Sequence, residues 1–442
     1  MLRNYALKRG ILRPLAARCC RYSSSVALDR YDNSYTTVVF DQEHSVQFNN
    51  AFLRDSCKAP ESVDPFSSQK LFTTAEIAKN LTVNSPPVIK ENDNESVLKI
   101  EWNQNGKISR SEYPESFLRK FINSESREKG KFFPADRTPW HNKELVENID
   151  SLQVEYSEYF DDKTFFKTLS NLNRYGLSFV NSIPNPTETS GLEKMNEENA
   201  YQWPVAKLAD RFGYIKKTFY GTLFDVKNEK EEAKNIANTN TFLPLHMDLL
   251  YYESPPGLQL LHFIQNSTLG GENVFCDSFL AAEHVKKVDP QAYLALKIVP
   301  VTYHYDNNNE YYFYKRPVVV EDEGKIVTVN YAPPFQGPFE FGVTNNDSHK
   351  TDLDLAKDAA EASLFQDFIR GFQLFEDFIN DPQNHYQVKM PEGACVIFDN
   401  RRVLHSRLEF SDENGGDRWL MGTYVDGDSF RSKLRMGYRK FT

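Results

Sequence analysis

The run LPLHMDLLYY sets His246 and Asp248 two positions apart in a stretch that reads as extended. Side chains at i and i+2 of a strand leave on the same face, so an imidazole and a carboxylate there can converge on one ion without unusual backbone. A second imidazole, His405, ends GACVIFDNRRVLH, which has the pattern of a strand, a turn and a further strand. Two histidines and one carboxylate form the facial set that holds non-haem Fe(II) and leaves three positions open, as chemistry with O2 requires. His-x-Asp alone is common by chance, and a single strand histidine is ordinarily a hydrogen-bonded core residue. Three further signals sharpen it: Pro255-Pro256-Gly257, the GGEN turn at 270–273, and Arg418, 13 residues beyond His405 on the next expected strand. A guanidinium there can grip a carboxylate bidentately beside the metal, as a keto-acid co-substrate requires. Arg407 is its rival; it shares the His405 side of the strand but sits too early to reach past the ion, so Arg418 is preferred. A zinc hydrolase built on the same ligands has no use for such a clamp. His44, His141, His262, His284, His304, His349 and His385 share no ligand spacing and are read as structural or surface residues.

Positioning these groups falls to short strands. GLQLLHFIQ, NVFCDSF, YYFYKRPVVV, KIVTVNYA, YQVKM, ACVIFD and RWLMGTYV are separated by turn signals such as Gly270-Gly271 and Gly415-Gly416. Many strands of this length with few parallel crossovers predict a double-sheet jelly roll with flanking helices, a mostly β, α+β architecture. The sequence predicts a helix over 161–175 ending at Gly176, a strand LSFVNSI, and a second helix around 189–212. A long helix is expected over 352–380, where Phe365, Phe368, Phe372, Phe375 and Ile379 make one apolar stripe. KNEKEEAKNIANTNT (227–241) reads as a loop. Ahead of this domain, residues 30–122 read as a small β-rich unit closed by the helix PESFLRKFI, with 123–158 as a surface-packed linker and 159–442 as the catalytic domain.

With 442 residues, 40% of them apolar and 14% aromatic, the chain has ample core for two or three domains. No window approaches the roughly 18–20 uninterrupted apolar residues of a spanning helix. Residues 1–28 hold six bases and no acid, interleaved with leucines and followed by serines, the signature of a mitochondrial matrix presequence. Removing those six bases leaves 46 Lys+Arg against 62 Asp+Glu, a net charge of −16 in place of −10. Such acidity argues against nucleic acid as a partner. Five cysteines with one adjacent pair and no CxxC fit neither a disulfide framework nor a cysteine zinc site, and a reducing compartment follows. The expected partner is a small-molecule substrate, with a homodimer as the one self-association admitted.

Beyond these readings, residues from about 160 to 442 resemble the catalytic domain of the gamma-butyrobetaine and trimethyllysine dioxygenases, within the wider taurine-dioxygenase-like group. The carrying motifs are TFYG (218–221), HMD (246–248), SPPGLQLLH (254–262), GGENVFCD (270–277), VIFDNRRVLHSR (396–407) and DRWLMGTYVDGD (417–428). FNNAFLRDSC (48–57) and EWNQNGKISRSEYPESFL (101–118) resemble the small N-terminal domain of the same group. The resemblance implies Fe(II) on His246, Asp248 and His405, Arg418 on one carboxylate of 2-oxoglutarate, and Asn273 as a polar neighbour of that co-substrate. It further implies that 2-oxoglutarate and O2 are consumed, that succinate and CO2 are released, and that a substrate C–H bond is hydroxylated.

Two departures from the group carry consequences. Its better-known members hold a zinc in the N-terminal domain through several cysteines and a histidine, whereas only Cys57 remains here, so no zinc is expected. The aromatic cage for a trimethylammonium group is also thinned: Tyr220 and Tyr424 match, but Phe224 stands where a Trp is usual and a further Tyr position falls on Asn238. The expected substrate is therefore a small metabolite, with a betaine or amino-acid derivative as one candidate class and a quaternary ammonium compound not favoured over others. A catalytically lapsed binding or scaffold protein on the same fold is the alternative.

Overall fold

The computed structural model describes residues 26–41, 43–77, 79–92, 95–130, 136–227, 241–343, 349–411 and 416–442. The chain divides into two compact units, Met1–Ala135 and Asp136–Thr442. Residues 1–25 of the expected presequence and most of the expected 227–241 loop lie outside the described residues.

In the first unit, Ala27–Tyr31, Tyr35–Val39 and Ser45–Asn49 form one antiparallel sheet, and Ser96–Gln104 is the centre of another. Val26, Leu98, Ile100, Trp102 and Tyr113 are buried together. Val26 and the first two residues of the strand Ala27–Tyr31, which fall at the end of the expected 1–28 presequence, thus belong to the folded unit.

The second unit is built on two sheets. One has the order Phe224–Lys227, Arg418–Val425, Leu258–Asn266, Ala394–Asp399, Leu177–Asn181, Gln153–Glu155; the other runs Leu243–His246, Val403–Arg407, Asn273–Asp277, Tyr386–Val388. All these neighbours pair antiparallel except Gln153–Glu155, which lies parallel to Leu177–Asn181. Strand alternation explains the layering. Leu261 and Phe263 of the central strand share a core with Phe275 and Val403 of the opposing sheet, while Leu258, Leu260 and Ile264 pack under helices with Leu169, Leu172 and Phe430. Two antiparallel sheets sharing a core in this way fit a jelly roll.

Several elements differ from the sequence expectation. The helix anticipated over 189–212 is three short pieces, Pro186–Ser190, Ala200–Gln202 and Pro204–Asp210, because Gly191 in the left-handed region ends the first and Pro204 starts the last. The 136–158 part of the anticipated linker is woven into the unit: Trp140, Leu145 and Leu152 are buried, and Gln153–Glu155 adds the sixth strand. The long helix Asp352–Asn380 matches its expected stripe, with Phe368, Phe375 and Ile379 buried. Strand Pro300–Asn307, which pairs with Glu310–Pro317, has no counterpart in the expectation.

A buried ion pair fixes the strands that carry the chemistry. Arg402, directly before Val403–Arg407, donates from Nη2 and Nε to the two Asp277 oxygens at 2.8 and 3.2 Å, and to the carbonyls of Thr138 and Arg174 at 2.7 and 2.8 Å. Asp277 also accepts from Trp140 N and Phe279 N, capping the helix Ser278–Val288. Arg402→Ala leaves the Asp277 charge buried and is expected to destabilise the unit by about 3–5 kcal/mol, read as a lower urea midpoint. His262 sits in the central strand with both ring nitrogens unpartnered, and burial pushes its pKa down to about 4. Its depressed value gives stability that is full above the unfolded pKa of about 6.5 and is lost as pH falls through about 4. His262→Leu is expected to remove about 3 kcal/mol of that acid-side loss, flattening the limb of a stability-versus-pH curve between those values.

Candidate active site

The two histidines face each other across a ladder. His246 ends Leu243–His246 and stands opposite His405 of Val403–Arg407, with ring centroids 4.2 Å apart. Asp248 is not on that strand, which corrects the same-face expectation. The ladder stops at His246, Met247 N donates instead to the Tyr331 carbonyl, and Leu249 enters the left-handed region at φ 57°. A turn, not alternation, delivers the carboxylate. Candidate ligand atoms of His246, Asp248 and His405 nonetheless all lie within 4.8 Å of one another, the only such group among the described residues.

The donor chemistry suits a divalent ion. His246 Nδ1 lies 2.8 Å from the Pro244 carbonyl, so the proton resides there and the Nε2 lone pair is free, 3.2 Å from Asp248 Oδ1. His405 is buried, its Nδ1 has no partner, and burial together with His246 pushes its pKa down to about 3, which keeps the ring neutral. Burial opposes ionisation of Asp248, but its contacts with His246, His405 and the Tyr424 hydroxyl hold its carboxyl well below the usual range. Two imidazoles and one carboxylate aimed at a common point are the donor set that Fe(II) takes.

All eight residues singled out in the sequence line one cavity of about 520 Å³: His246, Asp248, His405, Arg418, Asn273, Tyr220, Phe224 and Tyr424. Arg407 lines it too. Arg418 opens the strand Arg418–Val425, is 8% exposed, has an unpartnered Nε, and is lowered to about 9 by burial and then by Arg407. Arg407 is buried as well, lowered to about 10, and donates to the Thr241 carbonyl. Both guanidiniums lie over Phe410, at 4.9 and 5.4 Å from the ring centroid for Arg407 and Arg418. Asn273 is buried beside them with its Oδ1 unpartnered. This end of the cavity is built for an anion.

The aromatic residues divide in role. Tyr220 and Phe224 are half-buried walls with centroids 6.1 Å apart. Tyr424 is tied to the metal site: its hydroxyl donates to Asp248 Oδ2 at 2.7 Å, while its ring stacks on Phe224 at 5.0 Å. Asn238 lies outside the described residues. Sequence reasoning passed over Gln259, a buried pocket residue opposite Tyr424 in the ladder, and Asp225 and Glu310, which also line the cavity. Gln259 was detectable as a polar residue inside the apolar run GLQLLHF. Tyr424→Phe is expected to keep the fold and the aromatic wall but weaken divalent-metal binding by about tenfold, measured by titrating metal into the metal-free protein; a residue acting only as a wall would leave that affinity unchanged.

Comparison with known proteins places this geometry. The family model described as Taurine catabolism dioxygenase TauD, TfdA family matches residues 136–424. A probable oxidoreductase of Saccharomyces cerevisiae, AIM17, is 34% identical, the match covering 93% of this chain and 90% of the yeast protein. Dioxygenase str8 of Strobilurus tenacellus is 34% identical over 93% of this chain and 91% of its own. The trimethyllysine dioxygenase of Meyerozyma guilliermondii is 25% identical over 92% and 94% respectively. The chain belongs to the TauD, TfdA family and is a 2-oxoglutarate-dependent dioxygenase.

Proposed function

We propose that the chain holds Fe(II) on His246, Asp248 and His405, takes 2-oxoglutarate on Arg418 with Asn273 beside it, and hydroxylates a small betaine or amino-acid derivative. One observation carries this reading: a single cavity joins the three metal-type donors to a buried guanidinium with an unpartnered Nε. Bound iron, with 2-oxoglutarate and O2, supplies the oxidation of a C–H bond to an alcohol, with succinate and CO2 as the other products. The chain's own part is positional. Arg418 offers a desolvated bidentate donor for a carboxylate, where a charge-assisted hydrogen bond is strong. Phe224 and Tyr220 wall the site on the substrate side and exclude water.

The substrate reading rests on the rest of the lining. Asp225 and Glu310 reach the cavity, and no basic side chain among the described residues pairs with either. Two carboxylates beside aromatic faces favour a positively charged group. The match to the mitochondrial trimethyllysine dioxygenase of Bos taurus, 25% identical over 88% of this chain, together with the basic, acid-free stretch at 1–28, supports a mitochondrial matrix location. The N-terminal unit is proposed to stand without zinc, its Cys57 buried with the thiol 3.5 Å from the Arg110 carbonyl. A lapsed scaffold is not favoured, because the donor triad and Arg418 are both intact.

Incubating the iron-loaded protein with 2-oxoglutarate is expected to yield succinate, faster in the presence of a true substrate. Arg418→Gln is expected to raise the KM for 2-oxoglutarate by about one to two orders of magnitude while leaving metal affinity unchanged. Succinate formation that is independent of iron, or a KM untouched by Arg418→Gln, would overturn the assignment.

A further inference from the structure

We propose that Asn400 is a positioning residue for the metal centre, a side-chain clamp that replaces the sheet ladder at the point where Asp248 leaves it. Strand Leu243–His246 ends one residue before Met247, so the backbone of Asp248 has no neighbouring strand to pair with. Asn400 supplies both halves of the missing rung. Its Oδ1 accepts from Asp248 N at 2.9 Å, and its Nδ2 donates to the Asp248 carbonyl at 3.0 Å. The same Nδ2 lies 3.3 Å from the Pro256 carbonyl, and Asn400 N donates to the Gly257 carbonyl at 2.9 Å. Asn400 is fully buried.

Three chain segments therefore meet on one amide: the HMD turn, the PPG loop, and the turn between Ala394–Asp399 and Val403–Arg407. The last of these leads straight into His405. Gly257 is required at the junction because a Cβ there would stand 2.2 Å from the Gly427 backbone. The clamp also holds the turn in which Leu249 takes a positive φ, a conformation that a non-glycine residue keeps only when its surroundings enforce it. Tyr424 orients the Asp248 carboxylate from its far oxygen, and Asn400 fixes the backbone from which that carboxylate projects. The distance from Asp248 to the two histidines is thus set by a residue that touches none of the three side chains' donor atoms.

This role presupposes that His246, Asp248 and His405 bind a metal, and the experiment separates the two claims. Co(II) is titrated into the metal-free full-length chain and followed by its visible d–d band, with circular dichroism and melting temperature recorded in parallel. Asn400→Ala is expected to retain the fold, weaken Co(II) binding by about 10–100-fold and alter the band. Asn400→Asp keeps the volume and one acceptor but lacks both N–H donors, and is expected to weaken binding as well. Asn50→Ala is the control, since Asn50 is a buried amide of the first unit that also both accepts, from Thr36, and donates, to the Asp32 carbonyl; it is expected to lower the melting temperature and leave Co(II) affinity unchanged. Wild-type affinity and band in both Asn400 variants would overturn the clamp alone, as would an equal loss in Asn50→Ala or failure of both Asn400 variants to fold. Absence of Co(II) binding by the unmodified chain would overturn the metal reading and the clamp with it.

Discussion

A guanidinium sealed from water must find its partners in the protein, and Arg402 finds them in Asp277 and three backbone carbonyls. Both side chains are essentially inaccessible, at 1% and 0% exposure. Pairs of this kind contribute little net stability over an apolar substitute, but breaking one is costly, so their effect is to forbid alternatives. What is forbidden here is slippage between Val403–Arg407 and Asn273–Asp277. With that register set, Phe275 stands opposite His405 and Asn273 opposite Arg407. A slip of one residue would turn His405 and Arg407 away from the cavity. The metal donors and the anion end of the site thus depend on an ion pair at the far end of the same two strands.

The cavity that results is electrostatically asymmetric. Arg407 and Arg418 are buried at one end, where burial lowers the pKa of each. A dicarboxylate entering there meets donors already desolvated, which strengthens the contact and costs little reorganisation. Asp225 and Glu310 line the same cavity, together with Tyr220, Phe224 and Tyr424. One space thus offers cationic groups that suit a keto acid and, from other residues, carboxylates that suit the positively charged molecule proposed as substrate.

The chemistry was more legible than the local geometry. His246, Asp248, His405 and Arg418 stand out by residue type and spacing, and the strands around them by period-two patterning bounded by glycine turns. Two features escaped sequence reading for one physical cause: side-chain hydrogen bonds over long sequence separations leave no periodic trace. Asn400 reaches Asp248 across 152 residues, and the Tyr424 hydroxyl reaches it across 176. Read locally, Asp248 looks like a strand residue and Tyr424 like a cage wall. The helix anticipated at 189–212 failed for a local reason that was readable, since Gly191 and Pro204 both punctuate it. The 136–158 segment misled through composition: its polar surface residues outnumber Trp140, Leu145 and Leu152, yet those three decide where it packs.

The double duty of Tyr424 narrows what the substrate wall can read. Its hydroxyl is committed to Asp248, so only the ring is available, and that ring stacks on Phe224. Phe224 in turn has no polar atom. On the proposed reading, the wall nearest the donor triad would recognise shape and positive charge through ring faces, with hydrogen-bond selection left to Asp225, Glu310 and Gln259, which line the same cavity. A Trp at position 224 would enlarge the π surface and add an N–H donor, whereas Phe supplies a smaller face and no donor. Any gain in cation binding from enlarging that face must be set against the close approach of the Phe224 ring to Gly422, where even a Cβ on the glycine would lie 2.2 Å from Phe224 Cζ. The absence of a side chain at Gly422 is thus what makes room for the ring at 224, and the breadth of this wall is set by backbone packing on the neighbouring strand.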